Sequence, residues 1–313
     1  MPFDADLDEL LAEVVERARP LAREGEVADY LPSLASADAG ELGMAVVEMD
    51  GTEHTAGAVD VPFSIQSISK VFALALAMRE SGADGGDEAH FWDRVGREPS
   101  GDPFNSLVQL EHEHGIPRNP MINAGALVVD DVLLEHCDRP AEVVLDLVSE
   151  LAGEAARVDE DVLAQEAGAG DRNRAMAHLM SGFGNLRHGV DEVLELYTRQ
   201  CSIAMTARQL ARAVRFLANR GQDPATGEQV VTPAVARRVG AIMLTCGAYD
   251  AAGEFAFQVG LPCKSGVAGG IVATVTGELG ICVWSPPLDR AGNSVAGRAA
   301  LADLSEQLGV SLF

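Results

Sequence analysis

Apolar side chains near the start of the chain follow first a helical and then an extended pattern. Between residues 6 and 19 they recur every three or four positions, which predicts a helix with one buried face formed by Leu7, Leu10, Leu11, Val14 and Val15. The segment MAVVEMD (44–50) is rich in apolar and β-branched residues, and Asp50-Gly51 is a hairpin turn signal. We therefore expect a helix followed by two antiparallel strands, the second ending near residue 59.

A long apolar run without glycine or proline extends from Ser67 to about Ser81, which predicts a buried helix. Beyond it, helical patterns alternate with Gly, Pro and Asp punctuation near 124–137, 140–152, 173–183, 190–200, 206–219 and 233–245. Strand patterns return at 269–276 (GGIVATVT) and 279–284 (LGICVW), joined by the turn signal Gly277-Glu278. An amphipathic helix over about 295–308 follows them.

This order of elements is a short β block, a long helical insertion, a second β block and a final helix. The simplest architecture is α+β: the N- and C-terminal strands pair in one antiparallel sheet flanked by the terminal helices, and the insertion forms a large all-α lobe. We expect one domain over 1–313, with an α/β lobe of about 1–66 and 250–313 and a helical lobe of about 67–249. A cleft between two lobes is a natural place for an active site.

The charge of the chain excludes several classes of partner. It has 48 acidic and 23 basic residues and a formal net charge of −25, which argues against binding to nucleic acid or to anionic membrane surfaces. No apolar run approaches the roughly 18 residues of a membrane span. The N-terminus is acidic and amphipathic, unlike a signal peptide, so we expect a cytoplasmic protein. Two explanations of the charge stay open: an acidic, arginine-rich genome composition, or adaptation to high salt.

Neither the cysteines nor the histidines form a metal-site pattern. The five cysteines are scattered without a CxxC pair, which indicates reduced and mostly buried thiols. The run Glu111-His112-Glu113-His114 lacks a third ligand of known geometry, and we interpret it as a solvated helix end. We therefore expect no metal site.

The chain has only two lysines among its 23 basic residues, and each lies in a motif suited to acyl transfer. Lys70 closes Ser67-Ile68-Ser69-Lys70, and Lys264 opens Lys264-Ser265-Gly266. Arginine cannot lose its proton in a protein, whereas a desolvated lysine can and then acts as a base. Because positions i and i+3 share a face at a helix start, a neutral Lys70 can take the proton of Ser67 and make it a nucleophile. A neighbouring cation lowers the pKa of such a lysine, and Lys264 can supply it.

The two motifs together are more specific than either alone. SxxK with a distal K-[ST]-G is the signature of serine β-lactamases and penicillin-binding proteins. The chain further resembles the serine-dependent glutaminase family, whose catalytic core is β-lactamase-like. Six stretches carry this resemblance in order along most of the chain: FSIQSISKV (63–71), EPSGDPFNSLVQLE (98–111), NPMINAGAL (119–127), ELYTRQCS (195–202), GLPCKSGVAGGI (260–271) and WSPPLDRAGNS (284–294).

The resemblance to glutaminases implies a role for each matched position. Ser67 would be the nucleophile and Lys70 its base. The substrate-binding residues would be Ser67, Asn123, Glu166, Asn173, Tyr197, Tyr249 and, through its backbone N–H, Val267. Tyr249 would also be catalytic. Three residues would support the site: Lys264, Ser265 and Gly266.

The chemistry of free glutamine suits these residue types. A carboxylate such as Glu166 matches the α-ammonium, while asparagine and tyrosine donors match the α-carboxylate. The resemblance thus implies hydrolysis of L-glutamine to L-glutamate and ammonia, without metal or organic cofactor, by a homo-oligomer that is a tetramer or a dimer. Two alternatives stay open: a β-lactamase, DD-peptidase or esterase of the SxxK class, and an inactive binding protein on the same fold.

Overall fold

A computed structural model gives the structure of the protein and describes residues 6–82 and 88–313; of residues 88 and 89 it describes the backbone alone. The helices of these residues are α1 (Leu7–Ala18), α2 (Pro32–Ala35), α3 (Ser69–Glu80), α4 (Glu88–Arg94), α5 (Leu107–His112), α6 (Asn123–His136), α7 (Pro140–Ala152), α8 (Glu160–Ala169), α9 (Asp171–Gly182), α10 (Val190–Cys201), α11 (Ala207–Ala213), α12 (Arg215–Ala218), α13 (Pro233–Cys246), α14 (Ala252–Gln258) and α15 (Val295–Leu308). Short 3-10 turns cover Arg19–Glu24, Gln66–Ile68 and Tyr249–Ala251.

The strands form one large and two small sheets. They are β1 (Glu26–Val27), β2 (Gly43–Glu48), β3 (Glu53–Gly57), β4 (Phe63–Ser64), β5 (Arg157–Val158), β6 (Ile203–Met205), β7 (Cys263–Ser265), β8 (Gly270–Val275), β9 (Leu279–Trp284) and β10 (Pro287–Leu288). The five-stranded sheet has the order β3-β2-β9-β8-β7 and is antiparallel throughout. The small sheets join β1 to β10 and β4 to β6 to β5.

The predicted fold class is confirmed: strands from both ends of the chain pair in one antiparallel sheet, since β2 lies directly beside β9. Both predicted hairpins, β2–β3 and β8–β9, are present. The terminal helices α1 and α15 pack against each other and against this sheet. The helices of the insertion lie on the opposite face, where α11 contacts β2 and β9.

The alternation of side chains along the strands explains why the sheet has helices on both faces. Met44, Val46 and Ile281 point toward the core shared with α1 and α15. Their neighbours Ala45 and Cys282 point toward the core shared with the helical insertion. Because the side-chain period of a strand is two, the central strands β2, β8 and β9 bury both faces, whereas the edge strand β3 is only half-buried. The five-stranded sheet therefore separates two hydrophobic cores.

Helix α3 lies in the middle of the larger core. Every residue from Ser69 to Met78 is buried, so the helix has no solvent-facing side over this stretch. A helix that is apolar all round belongs in the interior of a protein. This placement puts Lys70, in the first turn of α3, inside the protein and away from solvent.

Several elements differ from the sequence predictions. The helix predicted over 206–219 is divided into α11 and α12 at Val214, where the Arg215 side chain donates to the carbonyls of Arg212 and Glu48. The sheet also contains β7 (Cys263–Ser265), which was not predicted. Three residues that are all buried are too few to show the alternation of apolar and polar side chains that indicates a strand. Five helices were not predicted either: α2, α4, α5, α8 and α14.

We propose that the chain is one domain with the two lobes expected from the sequence, bounded near 66/67 and 249/250. The β4–β6 pairing and the packing of α11 on the sheet connect the lobes closely. Residues 1–5 and 83–87 of these lobes lie outside the described residues. Within residues 6–82 and 88–313, no helix is long and apolar enough to cross a membrane.

A glycine in β9 tests how tightly the sheet packs on the helical insertion. A Cβ atom on Gly280 would lie 2.2 Å from the Ala211 carbonyl oxygen and 2.7 Å from Arg215 Cγ. We expect Gly280→Ala to lower the free energy of unfolding by about 1–3 kcal/mol, because the backbone of α11 has to move. Urea denaturation measures this change.

Gly240→Ala is the matched control for this substitution. Gly240 lies inside α13, and a Cβ there would meet no atom within 4 Å. Alanine is the better helix former, so this variant should gain up to about 1 kcal/mol. Equal stability of Gly280→Ala and the unmodified chain would contradict the packing described.

Candidate active site

Ser67 and Lys70 lie one turn apart where the chain enters the core. Ser67 is in the 3-10 turn Gln66–Ile68, and Lys70 is the second residue of α3. Both side chains are buried, Ser67 with 6% and Lys70 with 2% of its surface exposed. Gln66, directly before the serine, has a φ of 48°, an unfavourable conformation for a residue other than glycine. The turn thus holds Ser67 at the entrance of α3 at some cost in backbone strain.

The Lys70 amine is hydrogen-bonded to neutral oxygens. Its Nζ donates to Asn123 Oδ1 at 2.7 Å and to the Met121 carbonyl at 3.4 Å, rather than to Ser67. It also lies 5.6 Å from the ring centre of Tyr197. Burial lowers the pKa of Lys70 to about 8, against weaker opposing effects of Cys201, Asp130 and Glu166. The lysine can therefore exist as a neutral amine near physiological pH.

Asn123 connects the lysine to two other predicted site residues. It is the first residue of α6, and its Oδ1 also accepts a hydrogen bond from the Tyr197 hydroxyl at 3.1 Å. Its Nδ2 donates to Asn173 Oδ1 at 3.0 Å. Tyr197 is on α10 and Asn173 is on α9. The side-chain amide of Asn123 thus connects three helices of the insertion, α6, α9 and α10, and it is hydrogen-bonded to Lys70.

Glu166, on α8, has two polar neighbours that the sequence patterns did not reveal. The Tyr30 hydroxyl donates to Glu166 Oε1 at 3.3 Å. Burial raises the pKa of Glu166, and hydrogen-bonding interactions with Gln66 and Tyr30 oppose this rise. Gln66 could have been suspected, because it lies inside FSIQSISKV next to Ser67. Tyr30 belongs to no matched stretch, and only the fold brings it to the site.

Tyr249 and Lys264 form the other side of the site. Tyr249 has a φ of 58°, and its hydroxyl donates to the Ser265 carbonyl at 3.0 Å. Burial raises the pKa of Tyr249, while the adjoining Ser67 side chain opposes that rise. Lys264 Nζ lies 4.3 Å from the centre of the Tyr249 ring and donates to the carbonyls of Ser265, at 2.6 Å, and Gly247, at 2.9 Å. These contacts fix the ring of Tyr249 beside the serine.

Burial lowers the pKa of Lys264 well below its ordinary value, and the nearby charge of Lys70 lowers it further. The Lys264-Ser265-Gly266 motif needs its glycine for close packing. A Cβ on Gly266 would lie 2.8 Å from the Ile65 carbonyl oxygen, so a side chain there would push β7 away from the serine turn.

A cavity of about 220 Å³ opens above these residues. The predicted residues that line it are Ser67, Asn123, Glu166, Asn173, Tyr197 and Val267. Lys70 and Tyr249 lie behind this lining, in contact with Asn123 and Ser67 respectively. Lys264, Ser265 and Gly266 are not among the lining residues. The wall also includes residues that were not predicted: Tyr30, Gln66, Phe104, Asn105, Ala169, Gly170, Arg172 and Cys201.

Of the described cysteines only Cys201 lines the cavity, and none of the described histidines does. Burial raises the pKa of Cys201 to about 12, so its thiol is protonated although it adjoins the cavity. His112 and His114 lie at the exposed end of α5, as predicted. Within the described part of the chain, no three His, Cys, Asp or Glu side chains are grouped as metal ligands.

Comparisons with known proteins agree on one family. The family model described as Glutaminase matches residues 25–313. A glutaminase of Methylobacterium sp. (strain 4-46) is 53% identical over 312 residues, which cover 98% of this chain and 99% of that protein. A glutaminase of Aeromonas salmonicida (strain A449) is 51% identical over 306 residues, covering 97% and 98% of the two chains.

Solved structures show the same likeness. A probable glutaminase from Bacillus subtilis, complexed with 6-diazo-5-oxo-L-norleucine, superposes with a TM-score of 0.86 at 34% identity, covering 100% of this chain and 98% of that one. The similarity favours glutamine hydrolysis over β-lactam or peptide chemistry and over an inactive binding protein. The chain belongs to the glutaminase family, and it hydrolyses L-glutamine to L-glutamate and ammonia.

Proposed function

We propose that Ser67 is the nucleophile of this glutaminase and that Lys70 is the base that activates it. The observation that carries the proposal is the state of the Lys70 amine, which is buried beside Ser67, bonded to neutral oxygens and has a pKa lowered to about 8. At pH 7 about a tenth of such amines are neutral, against fewer than about one in a thousand for an ordinary lysine. A useful fraction therefore has the free lone pair that a general base needs.

In the proposed reaction, Ser67 Oγ attacks the γ-amide carbon of glutamine while its proton passes to Lys70 Nζ. The oxyanion lies between the backbone N–H groups of Ser67 and Val267, two residues that line the cavity. The C–N bond then breaks, ammonia leaves with a proton, and a γ-glutamyl ester remains on Ser67. Water attacks this ester, glutamate is released, and Ser67 regains its proton.

Two groups can give the leaving ammonia its proton. Protonated Lys70 is one, because it received the serine proton in the first step. The Tyr249 hydroxyl is the other, since it adjoins Ser67 and its raised pKa keeps it protonated. In the second case Tyr249 would regain its proton from Lys70. Both routes therefore deliver one proton to ammonia and leave Lys70 neutral and Tyr249 protonated.

We propose that the cavity recognises glutamine through the two charged groups on its α-carbon, the α-ammonium and the α-carboxylate. Glu166 faces the cavity and can pair with the α-ammonium, an interaction that would stabilise the ionised carboxylate in spite of its burial. The amide of Asn173 lines the same cavity and can donate to the α-carboxylate. Asn123 and Tyr197, which are already bonded to each other, would hold the substrate over Lys70.

We also propose that the enzyme is a cytoplasmic homo-oligomer, a tetramer or a dimer. The five cysteines, all in the described part of the chain, are free thiols, which suits a reducing compartment. Around α5 and the end of α9, three large apolar side chains are more than one-third exposed: Val108, Ile116 and Phe183. Exposed apolar groups of this kind are typical of surfaces between subunits.

Removal of the serine hydroxyl tests the nucleophile. Ser67→Ala should lower kcat by about 10⁴-fold or more, because no γ-glutamyl ester can form. Ammonia release from glutamine measures this loss. Ser305→Ala is a matched control: Ser305 is also buried, but its hydroxyl donates to the Val259 carbonyl, and neither residue lines the cavity. It should lose stability and keep its activity, and normal turnover by Ser67→Ala would refute the assignment.

The pH dependence tests the base. Since only neutral Lys70 accepts the serine proton, kcat/KM should rise with pH up to a plateau, with a midpoint near the Lys70 pKa of about 8. Below the midpoint the rate should fall about tenfold per pH unit. Initial rates in buffers of constant ionic strength measure the curve. A rate independent of pH between 6 and 9 would rule out Lys70 as the base.

The oligomeric state is tested by light scattering after gel filtration. We expect a mass two or four times the 32.9 kDa of the chain. Phe183→Ser should shift the equilibrium toward the monomer if the apolar side chains around α5 form the interface. Phe257→Ser is a control, since Phe257 is 88% exposed on a different helix, α14. A monomer at all concentrations would show that the proposal is wrong.

A further inference from the structure

Tyr249 has a backbone conformation that needs support from its surroundings. It begins the short 3-10 turn after α13, and its φ of 58° is unfavourable for a residue other than glycine. Such a conformation persists only where the surrounding structure holds it. Within the turn, the Ala251 N–H donates to the Ala248 carbonyl at 3.1 Å. Further support comes from a distant segment, the loop 289–294, which joins β10 to α15.

Asn293, in this loop, forms a hydrogen bond to the residue before the tyrosine. Its Nδ2 donates to the Ala248 carbonyl at 3.4 Å, and none of the Asn293 surface is exposed. In the described structure its Oδ1 has no hydrogen-bond partner, so the bond to Ala248 is the one that compensates the burial of this amide. Because the Ala248 carbonyl and the Tyr249 N–H belong to one planar peptide unit, a donor that holds the carbonyl also restricts the backbone of Tyr249.

Gly292, one residue earlier, adjoins the tyrosine ring. Its φ is 91°, and a Cβ there would lie 3.6 Å from Tyr249 Cε2 and 3.7 Å from Val267 Cγ1. These are ordinary van der Waals distances. The loop 289–294 therefore borders two residues of the proposed reaction: Tyr249, which can protonate ammonia, and Val267, whose N–H faces the oxyanion.

The loop is itself held in one conformation by hydrogen bonds. Asp289 Oδ1 accepts from the backbone N–H groups of Ala291, at 2.9 Å, and Asn293, at 3.0 Å. The Asp289 N–H donates to the Asn293 carbonyl at 2.8 Å. At the end of the loop, the Ser294 hydroxyl donates to the Ser285 carbonyl at 2.7 Å. The Asn293 side chain thus extends from a fixed backbone, as a positioning contact requires.

We propose that Asn293 is a positioning residue for Tyr249: through the Ala248 carbonyl it holds the tyrosine hydroxyl where the leaving ammonia can receive a proton. The inference rests on the role proposed above for Tyr249 as a proton donor. Asn293 is buried and is not among the residues that line the cavity, so it acts through Tyr249 and not on the substrate. Lys264 and Ser265 contact the ring and hydroxyl of Tyr249, whereas Asn293 restricts its backbone.

The test is the steady-state kinetics of Asn293→Ala. Without the amide, the Tyr249 backbone can relax from its unfavourable conformation and carry the hydroxyl away from Ser67. We expect kcat to fall by about tenfold to a hundredfold and KM to stay within about twofold. KM should persist because Glu166 and Asn173, which would bind the charged groups of glutamine, are on α8 and α9. The inhibition constant of L-glutamate measures this binding separately and should not change.

A double variant shows whether the effect passes through Tyr249. Tyr249→Phe removes the hydroxyl that Asn293 is proposed to position. In that background Asn293→Ala should change kcat by less than about twofold, since two residues that act through one contact are not additive. A loss as large as in the unmodified background would overturn the inference, because Asn293 would then act by another route.

Asn185→Ala is the matched control. Asn185 is also buried, and its Nδ2 donates at 2.8 Å to the carbonyls of Arg94 and Gly115; none of these three residues lines the cavity. Loss of these bonds should lower the melting temperature and leave kcat unchanged. An equal fall of kcat in the control would overturn the inference, since the effect would then be a general loss of stability.

Asp289→Ala tests the same loop from a side chain that is 22% exposed, in case Asn293→Ala does not fold. Without its bonds to two backbone N–H groups the loop loosens, so kcat should fall by a smaller factor, about three- to tenfold. Unchanged kcat in Asn293→Ala, or in Asp289→Ala if only that variant folds, overturns the inference and leaves the roles of Ser67 and Lys70 intact. If Tyr249→Phe alone keeps full kcat, Tyr249 is not the proton donor, and that part of the proposed function fails with the inference.

Discussion

The Lys70 amine is enclosed at the start of α3, next to Ser67, with hydrogen bonds to Asn123 and Met121 and no carboxylate in salt-bridge contact among the described residues. Burial of a cation is unfavourable, and the group responds by releasing its proton at a lower pH. An arginine could not respond in this way. The use of lysine at this position, in a chain with only two, follows from that requirement.

The fold supplies the enclosure by burying the start of α3 in the larger hydrophobic core. Helix α3 is buried on all sides, so a polar group in its first turn cannot reach water except through the cavity. The strand β7 approaches the serine turn closely because Gly266 has no side chain. Lys264 and Tyr249 then pack behind Ser67, and α6, α9 and α10 close the site from the other side.

The helices and strands that have a regular local pattern of side chains could be predicted from the sequence. The apolar strand segments 44–50, 269–276 and 279–284, with the turn signals beside them, predicted the two hairpins. A long apolar run without glycine or proline predicted α3, and helical spacing and amphipathic patterning predicted α1 and α15. The site residues were named from the two lysine motifs and the likeness to glutaminases, and the structure groups most of them around one cavity. Tyr30 and Gln66 were not named, since their role depends on the distance between segments rather than on a local pattern.

The same limit applies to Asp130 and Gln200. In sequence each is one of several polar residues on its helix, and only the packing of α6 against α10 brings them together. The short strands β4, β5 and β6 were missed because two or three residues are too few to show a period. Their position is set by pairing with distant segments, which a local pattern does not contain.

If burial sets the basicity of Lys70, its pKa in the resting enzyme is about 8, and NMR measures this value directly. With only two lysines in the chain, enzyme labelled with ¹³C at lysine Cε gives two side-chain signals, and Lys264→Met identifies which belongs to Lys70. We expect the Lys70 signal to titrate near pH 8. A midpoint above about 10, the ordinary value for lysine, would contradict it.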